Sequence, residues 1–137
     1  MADLIEFELV SPERLLVSRP VEMVVVPGSE GDFGALPGHA PLISEIRPGI
    51  IAIFEGGKVQ ERIFVAGGFA EVTAERCTVL AERAVPLADL DRAAADSELK
   101  DARDDLSDAK TDTDRAIAEH GIAVAEAKLA ALDNPVY

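Results

Sequence analysis

Between Ile5 and Leu9, the apolar residues Ile5, Phe7 and Leu9 alternate with Glu6 and Glu8, the period-two pattern of a strand with one wet face. Ser11-Pro12 ends this run. Leu15 to Val17 and Val21 to Val26 follow, and Pro20 between them is expected at an edge or a bend, because proline cannot donate to a ladder. Beyond a segment dense in glycine and proline, Leu42 to Ile46 resumes, Arg47-Pro48-Gly49 turns, and Ile50 to Phe54 is a β-branched run. Gly56-Gly57 predicts a tight hairpin leading into Val59 to Val65. Gly67-Gly68 then precedes Phe69 to Thr73, and Cys77 to Ala84 closes the series. Seven or eight short strands with frequent turns predict a β-sandwich, or flattened barrel, over residues 1–85.

The pattern changes at Pro86. From there to Leu132 no proline and one glycine, Gly121, occur, and Ala, Asp, Glu, Arg, Lys and Leu dominate. Leu99, Ala102, Leu106 and Ala109 step by three and four residues, which makes one apolar helical stripe. Asp89 and Asp91 stand where acids favour a helix N-terminus. The stripe empties near Lys110 to Asp114, so a second helix is expected there, capped by Asp112 or Thr113 and carrying Ile117, Val124 and Ala131 inward. A turn at His120-Gly121 is the alternative. Residues 86–137 therefore predict an antiparallel two-helix hairpin. The sequence as a whole predicts a β + α architecture: N-terminal β-sandwich, then C-terminal helical hairpin. The hairpin seam is mostly alanine. Burying such methyls yields about 0.8 kcal/mol per CH₂ equivalent, against about 1–2 kcal/mol of backbone entropy per ordered residue. The hairpin thus reads as a weakly held arm on a stable β body.

Charge and composition narrow the function. The net charge of −13 disfavours nucleic acid and anionic membrane surfaces, and residues 86–137 contribute −7 of it. No apolar run approaches the roughly 20 residues of a membrane span. Met1 to Glu6 places acids where the basic region of a secretory leader would lie. One cysteine, Cys77, allows no intrachain disulfide and suits a reducing cytoplasm, where it is expected to pack as a small apolar residue.

The glycine- and proline-dense segment, Pro27 to Leu42, holds four of the ten glycines and three of the eight prolines. Those constraints describe one rigid loop with a turn at Pro37-Gly38 and His39 just beyond it. A shaped loop on a scaffold is where binding concentrates. Catalysis is not expected. His39 and His120 lie in different halves, no Cys/His spacing suits a metal, and no Lys-Ser/Thr follows Gly28 to Gly34 as a phosphate loop requires. Glu30 and Asp32 read as a solvated turn.

Five blocks together resemble the epsilon subunit of the bacterial F-type ATP synthase, the counterpart of the mitochondrial delta subunit. They are Phe7 to Pro12, Gly31 to Leu42, Arg47 to Gly49, Val65 to Val72 and Thr78 to Glu82, and the order of sandwich and helix pair agrees. The resemblance implies a non-catalytic rotor part at the cytoplasmic face of the inner membrane. It would be bound to the gamma subunit and the c-ring, coupling proton flow to ATP synthesis. Carried over by position, Gly31, Asp32 and the turn Gly38, His39, Ala40 and Pro41 fall in the ring-facing edge. In some relatives the helical arm reaches the alpha/beta catalytic hexamer and restrains hydrolysis, and some bind ATP at the start of the first helix. Asp89, Arg92 and Ala93 match that nucleotide signature here, but Ala88 stands where Ile or Leu is expected, and this arm is acidic. A free-standing cytosolic nucleotide sensor built from the same two modules is the rival reading.

Overall fold

A computed structural model describes residues 3–135 and Tyr137. The chain divides into two compact units. One holds the strands up to Leu87 together with Tyr137, and the other begins at Ala88.

Ten strands build the first unit: β1 (Ile5–Val10), β2 (Leu15–Val21), β3 (Met23–Gly28), β4 (Gly31–Ala35), β5 (Leu42–Ile46), β6 (Gly49–Glu55), β7 (Lys58–Val65), β8 (Gly68–Val72), β9 (Arg76–Ala81) and β10 (Ala84–Pro86). They run in the order β10-β7-β6-β3-β5-β8-β9-β1-β2, with β4 paired to β3 beside this path. Only β1 and β9 pair in parallel among the described ladders, which sets Phe7 beside Cys77 and Leu9 beside Val79. The sheet folds on itself around an aliphatic core. Ile5, Phe7, Leu9, Val24, Val26, Ile51 and Ile53 are all fully buried in it. Cys77 lies in the same core, and burial pushes its thiol up to about 12 from an ordinary 9.0.

Three details differ from the sequence expectations, each for a local reason. Pro20 sits within β2 opposite Glu6, so the strand runs through the gap expected between Val17 and Val21, while the edge position expected of Pro20 holds. β2 closes the strand order, so the missing donor costs no ladder bond there. The Pro27–Leu42 segment is not one loop. Val24 to Gly28 pair with Ala35 to Gly31, so a hairpin tipped by Ser29-Glu30 occupies its first half. The ten strands exceed seven or eight because β4 and the short β10 lack a readable period.

The second unit is a helix pair, α1 (Arg92–Asp108) and α2 (Asp112–Asp133), after a short 3₁₀ turn at Leu87–Asp89. The break falls near Lys110 as expected. Its cap is Thr111, one residue earlier than proposed, whose hydroxyl accepts from the Asp114 amide at 3.0 Å. Ala95 and Ala102 of α1 are buried, as are Ala118, Ala125, Lys128 and Ala131 of α2. Ala131 is buried as expected, whereas Ile117 is 67% exposed and Val124 only half-buried, their places at the seam being taken by the neighbouring Ala118 and Ala125. Lys128 reaches Glu98 at 2.8 Å. An added Cβ at Gly121 would stand 3.3 Å from Ala102 Cβ, so the helices approach closely at that level.

Candidate functional site

The segment singled out in the sequence resolves into two pinned points at opposite ends of β4. Asp32 lies near the start of the strand and His39 in the connection after it. Three residues of strand, at about 3.3 Å each, already separate Asp32 from Ala35. The two side chains therefore form separate contacts.

At the first point, Gly31 has φ +140° and Asp32 follows it opposite Pro27. Arg47, in the turn between β5 and β6, donates through one guanidinium nitrogen to the Gly28 carbonyl and through another to Asp32 Oδ1, each at 2.5 Å. Its amide also donates to the Pro27 carbonyl at 2.9 Å. One arginine thus ties the β3–β4 hairpin to the β5–β6 turn. The other carboxylate oxygen, Asp32 Oδ2, accepts from the Tyr137 hydroxyl at 2.9 Å. The Tyr137 ring stands edge-on to Phe54 with centroids 6.1 Å apart, and Arg62 Nε donates to the Tyr137 carbonyl at 2.6 Å. The hydrogen bond to Asp32 chiefly raises the pKa of the phenol, because the proton it shares is held by an anion.

At the second point, Gly38 takes φ +84°, which favours glycine, and its amide donates to the Ala74 carbonyl in the β8–β9 turn at 2.8 Å. The His39 amide closes a turn onto the Leu36 carbonyl at 3.1 Å. His39 Nδ1 lies 2.5 Å from the Ala40 carbonyl. A carbonyl only accepts, so Nδ1 is the donor in this contact and Nε2 is the ring nitrogen left for a partner. Ala40 and Pro41 are exposed beside it.

Asp89, Arg92 and Ala93 are exposed in the second unit. Arg92 is ion-paired with Asp133. Among the described residues no group of His, Cys, Asp and Glu is placed to hold a metal ion, and no helix is long and apolar enough to cross a membrane.

Sequence reasoning missed Arg47 and Tyr137 as partners of Asp32, since they lie 15 and 105 residues from it. It also missed an apolar face. Phe69 and Leu80 are cross-strand neighbours on β8 and β9, 54% and 56% exposed, bordered by Val10 and Pro12. A period-two count had the signal, because both residues occupy outward positions of their strands.

Comparison with known proteins places this arrangement. Residues 4–87 match the family described as ATP synthase, Delta/Epsilon chain, beta-sandwich domain, and residues 91–135 match the C-terminal domain of the ATP synthase epsilon chain. The ATP synthase epsilon chain of Rhodospirillum rubrum is 75% identical over 80 residues, 58% of this chain and 60% of that one. That of Paramagnetospirillum magneticum is 68% identical over the same shares. The matched stretch thus spans about three fifths of either relative. A subunit in the structure of the Euglena gracilis mitochondrial ATP synthase, OSCP/F1/c-ring, superposes with a TM-score of 0.79 at 29% identity, covering 94% of this protein and 81% of that subunit. One in the Tetrahymena thermophila central stalk/c-ring structure shares the fold, with a TM-score of 0.67 at 15% identity, over 93% of this protein and 96% of that subunit. With both of its units matched, in order, the chain belongs to the family of ATP synthase epsilon chains.

Proposed function

We propose that this protein is the non-catalytic central-stalk subunit that joins the gamma subunit to the c-ring of a proton-translocating ATP synthase, at the cytoplasmic face of the bacterial inner membrane. The match of both units to the epsilon chain family carries this reading. The geometry supports it. The Asp32 and His39 points are polar, exposed and tied to their scaffold by bonds from Arg47 and to Ala74, which suits contact with polar loops of a turning ring. The exposed Phe69–Leu80 face has the apolar character of a lasting subunit contact, and we assign it to gamma.

The helical unit is left outside this assignment. Restraint of hydrolysis at an acidic catalytic interface calls for basic residues, whereas residues 86–137 are net negative. A nucleotide phosphate at Arg92 would compete with Asp133.

The test is assembly of the full-length protein with gamma and a purified c-ring. Asp32→Ala with His39→Ala is expected to weaken ring binding and proton-driven synthesis while leaving gamma bound. Phe69→Glu is expected to weaken gamma instead. Unchanged ring affinity and coupling in the double variant would overturn the reading.

A further inference from the structure

Asp32 is already occupied. Its Oδ1 is held by Arg47 and its Oδ2 by the Tyr137 hydroxyl, and Tyr137 belongs to the same compact unit as the strands. The seat has three parts from three different elements: Asp32 of β4 takes the hydroxyl, Phe54 of β6 meets the ring edge, and Arg62 of β7 donates to the carbonyl. Convergence of an anion, an aromatic edge and a cation on one tyrosine makes a defined seat. It is nevertheless shallow, since Tyr137 remains exposed.

We infer that Tyr137 is a displaceable cover over Asp32, so that a partner donor reaching this carboxylate takes the place of the Tyr137 hydroxyl. The inference rests on the reading that Asp32 meets a polar loop of the c-ring, and it adds a regulation of that contact. Arg47 keeps Asp32 oriented whichever donor is present, because it uses the opposite oxygen. The exchange conserves hydrogen bonds: one O–H···O⁻ contact is given up as another forms. Ring binding then carries a conformational cost equal to vacating the seat, which lowers the apparent affinity by the fraction of molecules in the covered state.

The protein has one tyrosine and no tryptophan, so the phenolate absorbance that grows on alkaline titration belongs to Tyr137 alone. In the free full-length protein, absorbance titration is expected to place the phenol above its ordinary range, and Asp32→Asn to bring it back. The charged groups facing it are Asp32, Arg47 and Arg62. In the assembly with gamma and the c-ring, Tyr137→Ala is expected to tighten ring binding by about 3- to 10-fold, the weight of one exposed charge-assisted hydrogen bond. Tyr137→Phe removes the same hydroxyl and keeps the ring on Phe54, so it is expected to show most of that gain. If Asp32→Ala weakens ring binding while neither Tyr137 variant alters it, the cover is refuted and the rotor reading stands. If the phenol titrates normally and ignores Asp32→Asn, the seat itself is refuted. If Asp32→Ala and His39→Ala leave ring binding intact, the rotor reading falls and the cover with it.

Discussion

Gly68→Ala and Gly31→Ala separate two costs that glycine usually hides together. Both residues have φ +140°, a conformation that L side chains rarely adopt. At Gly31 nothing lies within 4 Å of an added Cβ. At Gly68 the same atom would stand 2.0 Å from the Leu80 carbonyl oxygen and 3.0 Å from Ala81 Cα. Those are backbone atoms, so no rotamer change makes room. Ordinary contact begins at 3.4 Å, and β8 and β9 must part locally by the difference, about 1.4 Å. The dihedral cost is about 1–3 kcal/mol at either site. Parting the strands adds about 1 kcal/mol for each of roughly two ladder bonds. Gly68→Ala is therefore expected to lose about 3–5 kcal/mol, a large share of the about 5–15 kcal/mol that holds a domain folded.

Calorimetry on the full-length protein reads the difference. At about 4–8 °C per kcal/mol for a unit of this size, Gly68→Ala is expected to lower the sandwich transition by about 12–40 °C and Gly31→Ala by about 4–24 °C, with Gly68→Ala the lower of the two by about 8–16 °C. Equal losses would refute the steric argument and leave only the dihedral one. A smaller loss at Gly68 would mean that the close approach of β8 and β9 is misread.

Two further outcomes follow from buried groups. Cys77 has its thiol pushed up to about 12, so between pH 9 and 12 the unfolded protein loses a proton that the folded protein keeps. Stability is present below the ordinary thiol value and falls as pH rises through that window, and urea midpoints across it should decline less steeply in Cys77→Ala than in wild type, the remainder coming from the raised Tyr137 phenol. In the helix pair, Gly121→Leu is expected to cost about 1–3 kcal/mol by wedging α2 against Ala102. There Gly121→Ala is expected to be near neutral, its gain of about 1 kcal/mol in helix propensity offsetting a 3.3 Å contact. Equal helicity by circular dichroism in both variants would refute the close crossing.

The strands legible in the sequence are those whose burial follows a simple rule. β1 alternates Ile5, Phe7 and Leu9 against Glu6 and Glu8, and the structure buries the first three fully. β4 was hidden because Gly31-Asp32-Phe33-Gly34-Ala35 carries turn-forming residues in a paired strand, where tertiary pairing with β3 overrides propensity. The helix pair was legible in type and break, and Ala131 is inward as expected, yet Ala118 and Ala125 take the inward places expected of Ile117 and Val124. Alanine lines the seam there, and a stripe of small residues leaves the larger Ile117 to mislead a count of apolar positions. Asp32 and His39 were visible as chemistry in a constrained segment. Their partners were not, since Arg47, Ala74 and Tyr137 reach them only after the chain has folded back.

Those long-range partners bear on the proposed role more than their energies suggest. Arg47 and Asp32 are both partly exposed, and such a pair contributes about 0–1 kcal/mol to stability. Its effect is on stiffness. One guanidinium fixes the Gly28 carbonyl and the Asp32 carboxylate together, and its own amide fixes Pro27, so three points of two turns move as one. The Gly38 amide does the same for the His39 turn by reaching the β8–β9 turn at Ala74. A contact that hands on torque must resist bending more than it must bind tightly, because a compliant loop stores the turning work and returns it. Weak bonds placed across turns serve that need, whereas a stronger bond within one loop would leave the loop free to swing as a body.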